Sequence, residues 1–330
     1  MTDTVLVTGA TGFVGSAVAR QLLEAGFRVR ALVRQTSRLD NLRGLDIETV
    51  VGDLRDPDSL AAALNGCQGL FHVAADYRLW ARRPSEIYAS NLRGSRNAIL
   101  AGIRAGVERI VYTSSVATLG LRSDGLPGDE DTPVSAANMI GHYKRSKFLA
   151  EQKVRKLAAK EKIDVIIVNP SAPVGPRDIK PTPTGRLILD SARGRMPAYV
   201  DTGLNVVHVD DVAAGHLLAY ERGAAGRRYI LGGENMTLQQ IIAAAAAVTG
   251  ARRPFMRLPH NAVMPFAYLA EATAQVTGRT PTLTVAGAKL AKKKMFFSHD
   301  RATRELGYRP RPASEAFADA VDWFQRNGYC

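Results

Sequence analysis

Cysteine is scarce: the 330 residues include two, Cys67 and Cys330, far apart and without metal-ligand spacing. That excludes a disulfide-stapled scaffold and a thiolate metal centre, and it fits a reducing compartment. No apolar run approaches the roughly 20 residues that span a bilayer as a helix. The first apolar run begins at Thr4, so no secretory signal is expected ahead of it and a cytoplasmic location is expected. No internal repeat is found. Acidic residues are in deficit, with 31 Asp and Glu against 44 Lys and Arg and a net charge of +13. Such a surplus suits nucleic acid, an anionic membrane surface, or an anionic cofactor or substrate. The basic residues are scattered apart from Lys292-Lys293-Lys294, and no nucleic-acid motif accompanies them. Nucleic acid is therefore not an expected partner. With 46% hydrophobic residues the chain can bury a full core, as one large α/β unit or as two lobes.

What the chain does have is a glycine turn near its start. Thr4-Val-Leu-Val7 is nearly all apolar, as expected of a parallel strand buried on both faces. Gly9, Gly12 and Gly15 follow, and Val14, Val18 and Leu22 then share one face of a helix that Gly26 closes. A strand, a glycine turn and a helix N-terminus together make an anion site. Free N–H groups and the positive end of the helix dipole face a phosphate, and glycine lets the backbone approach it. The spacing is G-x-x-G-x-x-G rather than the G-x-G-x-x-G of the usual dinucleotide fingerprint. We expect a nicotinamide dinucleotide here, with Thr11, Phe13 and Val14 beside the glycines.

Strand-like and helix-like segments alternate through the first half. Strands are expected at 28–33, 47–51, 69–74, 109–114 and 164–169. Helices are expected at 59–64 behind an Asp58 cap, at 85–105 and at 143–160. This rhythm predicts a doubly wound parallel sheet, a Rossmann-type α/β fold, whose ligands sit beyond the carboxyl ends of the strands. After Pro170 the rhythm breaks at Pro173, Pro176, Pro181 and Pro183. A strand at 206–209, a helix capped by Asp210-Asp211, a strand at 228–231 and a capping box at Thr237–Gln240 follow. The expected division is a dinucleotide domain of residues 1–172 plus 204–234 and a smaller, discontinuous substrate lobe of 173–203 plus 235–330.

Tyr143 and Lys147 lie four apart, so a helix sets them one turn apart on one face. Carbonyl reduction needs a proton donor beside the oxygen, and an ammonium next to a phenol is expected to lower its pKa from about 10. At the end of the fifth strand Ser114 and Ser115 offer hydroxyls to a substrate oxygen. Either can serve.

Together the glycine turn, the serine pair and the Tyr-Lys pair resemble the extended short-chain dehydrogenase/reductases over essentially the whole chain. The resemblance implies that Ser115 orients a carbonyl, Tyr143 is the acid/base, and Lys147 also binds the nicotinamide ribose. It further implies adenine contacts from Asp53-Leu54, a cofactor wall at Ala74-Ala75, a role for Asn91, and Asn169-Pro170-Ser171 beside the nicotinamide. A homodimer through the helices at 85–105 and 143–160 is the implied assembly. More narrowly, the runs 71–81, 141–147, 175–185 and 196–203 resemble the bacterial hopanoid-associated sugar epimerase family, itself similar to dihydroflavonol 4-reductases.

After the second strand the chain reads Val33-Arg34-Gln35-Thr36-Ser37-Arg38, with no acid before Asp40 to take ribose hydroxyls. Arg34, with Ser37 and Arg38, suits a 2′-phosphate, so NADP(H) is favoured and NAD(H) remains open. Nucleotide-sugar epimerases resembling this chain carry an arginine for the substrate diphosphate where Gly203-Leu204-Asn205 stands here. Reduction of a small-molecule carbonyl is thus the first expectation, sugar epimerisation with tightly held NAD the second, and a non-catalytic dinucleotide sensor the third. Tyr77 and Trp80 are candidate substrate contacts, and His142 is not expected to be catalytic. No metal is expected. Phe255 to Val276, apolar and near Arg252, Arg253 and Arg257, suggests at most peripheral membrane contact.

Overall fold

The computed structural model describes residues 3–281 and 283–330. Its centre is a seven-stranded, fully parallel sheet. In chain order the first strands are β1 (Thr4–Thr8), β2 (Arg28–Val33), β3 (Glu48–Val51), β4 (Gly69–His72), β5 (Arg109–Thr113) and β6 (Asp164–Pro170). β7 (Ala172–Val174), β8 (Ala198–Val200), β9 (Gly203–His208), β10 (Arg228–Leu231), β11 (Glu234–Thr237), β12 (Met256–Leu258) and β13 (Lys294–Met295) follow. The sheet order is β10-β6-β5-β4-β1-β2-β3. The chain winds outward from β1 to β3, then crosses over and winds outward from β4. The switch point therefore lies beyond the carboxyl ends of β1 and β4, where the glycine turn begins.

Both faces of the sheet are covered, which is why its strands read as apolar runs rather than alternations. Val5 and Val7 pack on one face with α1 (Phe13–Glu24), α7 (Val209–Arg222) and α11 (Asp300–Leu306). Leu6 packs on the other with α2 (Pro57–Leu64), α4 (Ser95–Arg104) and α5 (Gly141–Glu161). β9 sits in a second sheet with β7, β11 and β13, its Val207 packing into the core beside α1 and α7 and its Val206 into the core beyond, while β10 closes the main sheet. A separate core gathers α6 (Pro183–Ala192), α8 (Leu238–Thr249) and α12 (Ala313–Arg326), with Phe317 and Phe324 buried in it.

Three local expectations change. The cap of α2 is Asp56, whose side chain accepts from Asp58 N, with Pro57 in the first turn. The helical run from residue 85 is α3 (Ser85–Tyr88), a π-helical turn at Ala89–Gly94, and α4. The extra residue of the π turn sets the buried Asn91 against the neighbouring loop. His208 caps α7 by accepting from Asp210 N, whereas Asp211 accepts from Arg311 N and Nε. Thr237 and Gln240 form the capping box as expected.

One buried contact fixes the switch point itself. His72 Nδ1 lies 2.8 Å from Thr8 Oγ1 and its Nε2 lies 3.0 Å from Ser95 Oγ, joining β1, β4 and α4. Burial, reinforced by Lys147, pushes His72 from its ordinary 6.5 down to about 3. The unfolded chain therefore gains a proton as pH falls below 6.5 while the folded chain does not, and stability drops through that window. Between neutral pH and about pH 4.5, urea unfolding should show the wild type losing about 2 kcal/mol more than His72→Gln. Equal slopes would remove His72 as a source of acid sensitivity.

Candidate active site

At the glycine turn Gly9 takes φ +76°, in the left-handed region that favours glycine, and Gly12 N donates to Gly9 O at 2.9 Å. A Cβ on Gly9 would stand 2.8 Å from the Ala74 backbone, and one on Gly15 would stand 2.1 Å from Gly9 O. The first site keeps β4 close and the second lets α1 pack directly on the end of β1. No side chain caps α1, so the first-turn N–H groups remain for a ligand. Asn41 Nδ2 donates to Thr11 O and to Arg177 O, tying the turn to the loop after β7. Gly12 is exposed and Thr11, Phe13 and Val14 are half-buried along the same edge. This cradle fits the pyrophosphate of a dinucleotide.

Beyond β2, Arg34 is exposed and its backbone N–H donates to Ser37 Oγ at 3.0 Å. Arg38 and Arg43 both pair with Asp40. Among the described residues no carboxylate lies within ion-pair distance of Arg34, although its charge helps to hold down Asp53. After β3, the Arg55 guanidinium grips Asp53 at 2.7 Å and holds its carboxyl down at about 2. Leu54 rests beside Gly94, and its carbonyl accepts from Asn97.

The chemistry gathers where β5 ends. Lys147, buried, donates from Nζ to Thr113 O at 2.7 Å and lies 5.1 Å from the Tyr112 ring centroid. Burial pulls its amine down to about 8 against an upward pull from Glu151. One turn earlier on α5 stands Tyr143, and across from it Ser115 Oγ accepts from Ala117 N at 3.1 Å as the cap of the turn after β5. Burial raises Tyr143 above its ordinary value and hydrogen bonding from Ser115 opposes the rise. The expected downward shift by Lys147 is thus not what the structure has. Its ammonium is turned to the Thr113 carbonyl, and desolvation of the phenol prevails.

Ser114 is turned away from any substrate. Its hydroxyl donates to Glu151 Oε2 at 2.5 Å, and the same oxygen accepts from Thr118 Oγ1 and Asn169 Nδ2. Arg228 stands 3.5 Å from Oε1. Of the two serines, Ser115 is the one left beside Tyr143. Glu151 was not foreseen from the sequence, although it continues the spacing of Tyr143 and Lys147 by one more turn. Asn91 bonds Asp76 N and O and Ser146 Oγ, fastening the loop after β4 to α5. On that loop Ala74 faces Gly9, Ala75 and Tyr77 are exposed, and Trp80 is half-buried. His142 pairs with Tyr88, away from this group. Pro170 is buried at the end of β6, and the next residue, Ser171, holds a buried hydroxyl without a partner. Among the described residues no group of three or more His, Cys, Asp and Glu is placed to hold a metal.

Fold and site define an NAD(P)-dependent oxidoreductase/epimerase of the extended short-chain dehydrogenase/reductase class. The chain belongs to the NAD dependent epimerase/dehydratase family, which matches residues 5–232. It is 49% identical to a putative dihydroflavonol 4-reductase of Synechocystis sp., over 100% of this chain and 96% of that one. It is 38% identical to sterol demethylase protein B of Methylococcus capsulatus, over 98% and 99%. The crystal structure of gox2253 superposes with a TM-score of 0.89 at 56% identity, covering 99% of both chains.

The cradle gives a direct test. Gly9→Ala introduces a Cβ against Ala74 at a positive φ, so NADPH binding followed by fluorescence should weaken about tenfold or more. Unchanged affinity would place the dinucleotide elsewhere.

Proposed function

We propose that the protein is an NADPH-dependent carbonyl reductase. The observation that carries this reading is that Ser115 caps the turn after β5 while Lys147, one helical turn from Tyr143 on α5, donates to Thr113 O at the end of that strand. The residues fit the cofactor, which when bound supplies the hydride. Gly9, Gly12, Gly15 and the N-terminus of α1 hold its pyrophosphate, Arg34 its 2′-phosphate, and Lys147 its ribose. Asp53, Leu54, Ala74, Ala75 and Pro170 line its length. Ser115 and Tyr143 hold the substrate oxygen. A phenol is protonated in the neutral range by its ordinary pKa of about 10, so the Tyr143 hydroxyl can serve as a proton donor. Tyr77 and Trp80 border the substrate.

The reductase reading is preferred to a nucleotide-sugar epimerase for a second reason. Where such epimerases place a diphosphate-binding arginine, Asn205 is buried and its amide donates to Gly233 O, Asn235 Oδ1 and Phe297 O. A Cβ on Gly203 would meet the Phe296 ring at 2.4 Å. These positions serve the lobe's packing. Likeness to sterol demethylase protein B supports a carbonyl in lipid-related metabolism, which the reading extends to hopanoid lipids on the resemblance carried by residues 71–81, 141–147, 175–185 and 196–203. A cytoplasmic homodimer paired through α4 and α5 belongs to the same proposal.

Freshly purified protein should release little nucleotide on denaturation and bind NADPH more tightly than NADH. Stoichiometric NAD retained through purification would instead favour the epimerase. Arg34→Ala should cost about tenfold or more in NADPH affinity with little change for NADH, the scale of one hydrogen bond to a charged group. Loss of both affinities together would rule out a 2′-phosphate role. Tyr143→Phe should lower the turnover of a ketone by about 10²- to 10⁴-fold with NADPH affinity retained. Retained turnover would remove Tyr143 from the chemistry.

A further inference from the structure

The substrate lobe carries an apolar surface for which the active site has no use. Among the described residues eleven large hydrophobics are exposed, and six of them fall between Phe255 and Val276. α9 (His260–Thr277) turns only Ala267 and Ala274 fully inward. Phe266, Leu269 and Val276, exposed by 66%, 64% and 86%, recur at helical spacing and form a stripe on the outer side, with Tyr268 beside it. Phe255, 82% exposed, and Met256 stand just ahead of the helix. A stripe of this kind is ordinarily buried or occupied.

Its charge is one-sided. Residues 252–279 hold Arg252, Arg253, Arg257 and Arg279 against a single acid, Glu271. Glu271 is half-buried and accepts from Val285 N at 2.7 Å, and Arg257 is paired with Asp201. Arg252, Arg253 and Arg279 are exposed at the two ends of the segment. A second copy docked through this face would set arginine against arginine with no carboxylate of the segment to meet them, since a two-fold contact pairs a surface with itself. A sheet of lipid phosphates meets the same cations favourably. No helix among the described residues is long and apolar enough to cross a membrane, so α9 can only lie along one.

We propose that α9 docks in plane on an anionic membrane surface. Phe266, Leu269 and Val276 enter the boundary between headgroups and acyl chains, and Arg252, Arg253 and Arg279 engage lipid phosphates. The inference does not depend on which reaction the active site performs.

Flotation of the full-length protein with phosphatidylcholine vesicles, with and without phosphatidylserine, tests it. The protein should float only with the anionic vesicles, and high salt should release part of it by screening the arginines. Phe266→Ser with Leu269→Ser should abolish flotation. Arg252→Ala and Arg253→Ala should each weaken partitioning by about fivefold. Thermal unfolding should match the wild type in all of these, because the side chains changed are exposed. No flotation with anionic vesicles overturns the proposal. So does a dimer in sedimentation velocity that Leu269→Ser dissociates while vesicles capture nothing.

Discussion

A carboxylate buried inside a protein is costly unless it is surrounded by donors, and Glu151 is buried at the end of the central sheet. Ser114 and Thr118 from the β5 side, Asn169 on β6 and Arg228 on β10 all point to it. Since Glu151 belongs to α5, the bonds that satisfy it also fix how far α5 slides along the strands and how it is rotated. Lys147 and Tyr143 are one and two turns back on that helix. A shift of α5 by one residue would leave the carboxylate without donors and carry the phenol away from Ser115. The geometry of the candidate site thus inherits its precision from a group outside the set of Ser115, Tyr143 and Lys147.

The opposite wall of the site is held in a comparable way. His72 joins β1 to β4 and α4, and Thr8 Oγ1 also accepts from Ala74 N at 3.3 Å. This sets the spacing between the strand that ends in Gly9 and the strand that leads to Ala74. Asn91 then fastens the next residues to Ser146 on α5. Thr8, His72 and Asn91, all buried and polar, connect the glycine turn, the loop after β4 and α5 into one frame. Each hydrogen bond contributes only modestly, but the loss of any partner leaves a buried polar group unpaired.

Much of this was legible in the sequence, for physical reasons. Parallel strands covered on both faces must be apolar throughout, and a phosphate cradle needs glycine where a Cβ would collide. The alternation of strands, the turn at Gly9–Gly15 and the pairing of Tyr143 with Lys147 all follow from such local rules. What the sequence did not disclose depends on partners distant along the chain. The π turn answers to Asn91 reaching Asp76 and Ser146, and Asp211 is drawn from a helix cap by Arg311, a hundred residues away. The ionisation of Tyr143 likewise depends on tertiary burial, which raises the phenol while the neighbouring ammonium is turned to Thr113 O. Hydrophobicity alone also could not separate α8, packed against α12 and α6, from α9, whose larger side chains face outward.

The burial that organises the site also biases its charges. Lys147 is desolvated, so its ammonium is held less firmly than in water, with only Glu151 pulling its pKa upward. The positive N-terminus of α1 and Arg34 follow the carboxyl ends of β1 and β2, on the same edge of the sheet. An anion bound along that edge meets the positive potential of the helix N-terminus and of Arg34. The phosphates of a dinucleotide are such an anion. The same electrostatics favour a charged ligand over a neutral one of equal size, which would leave that potential unanswered.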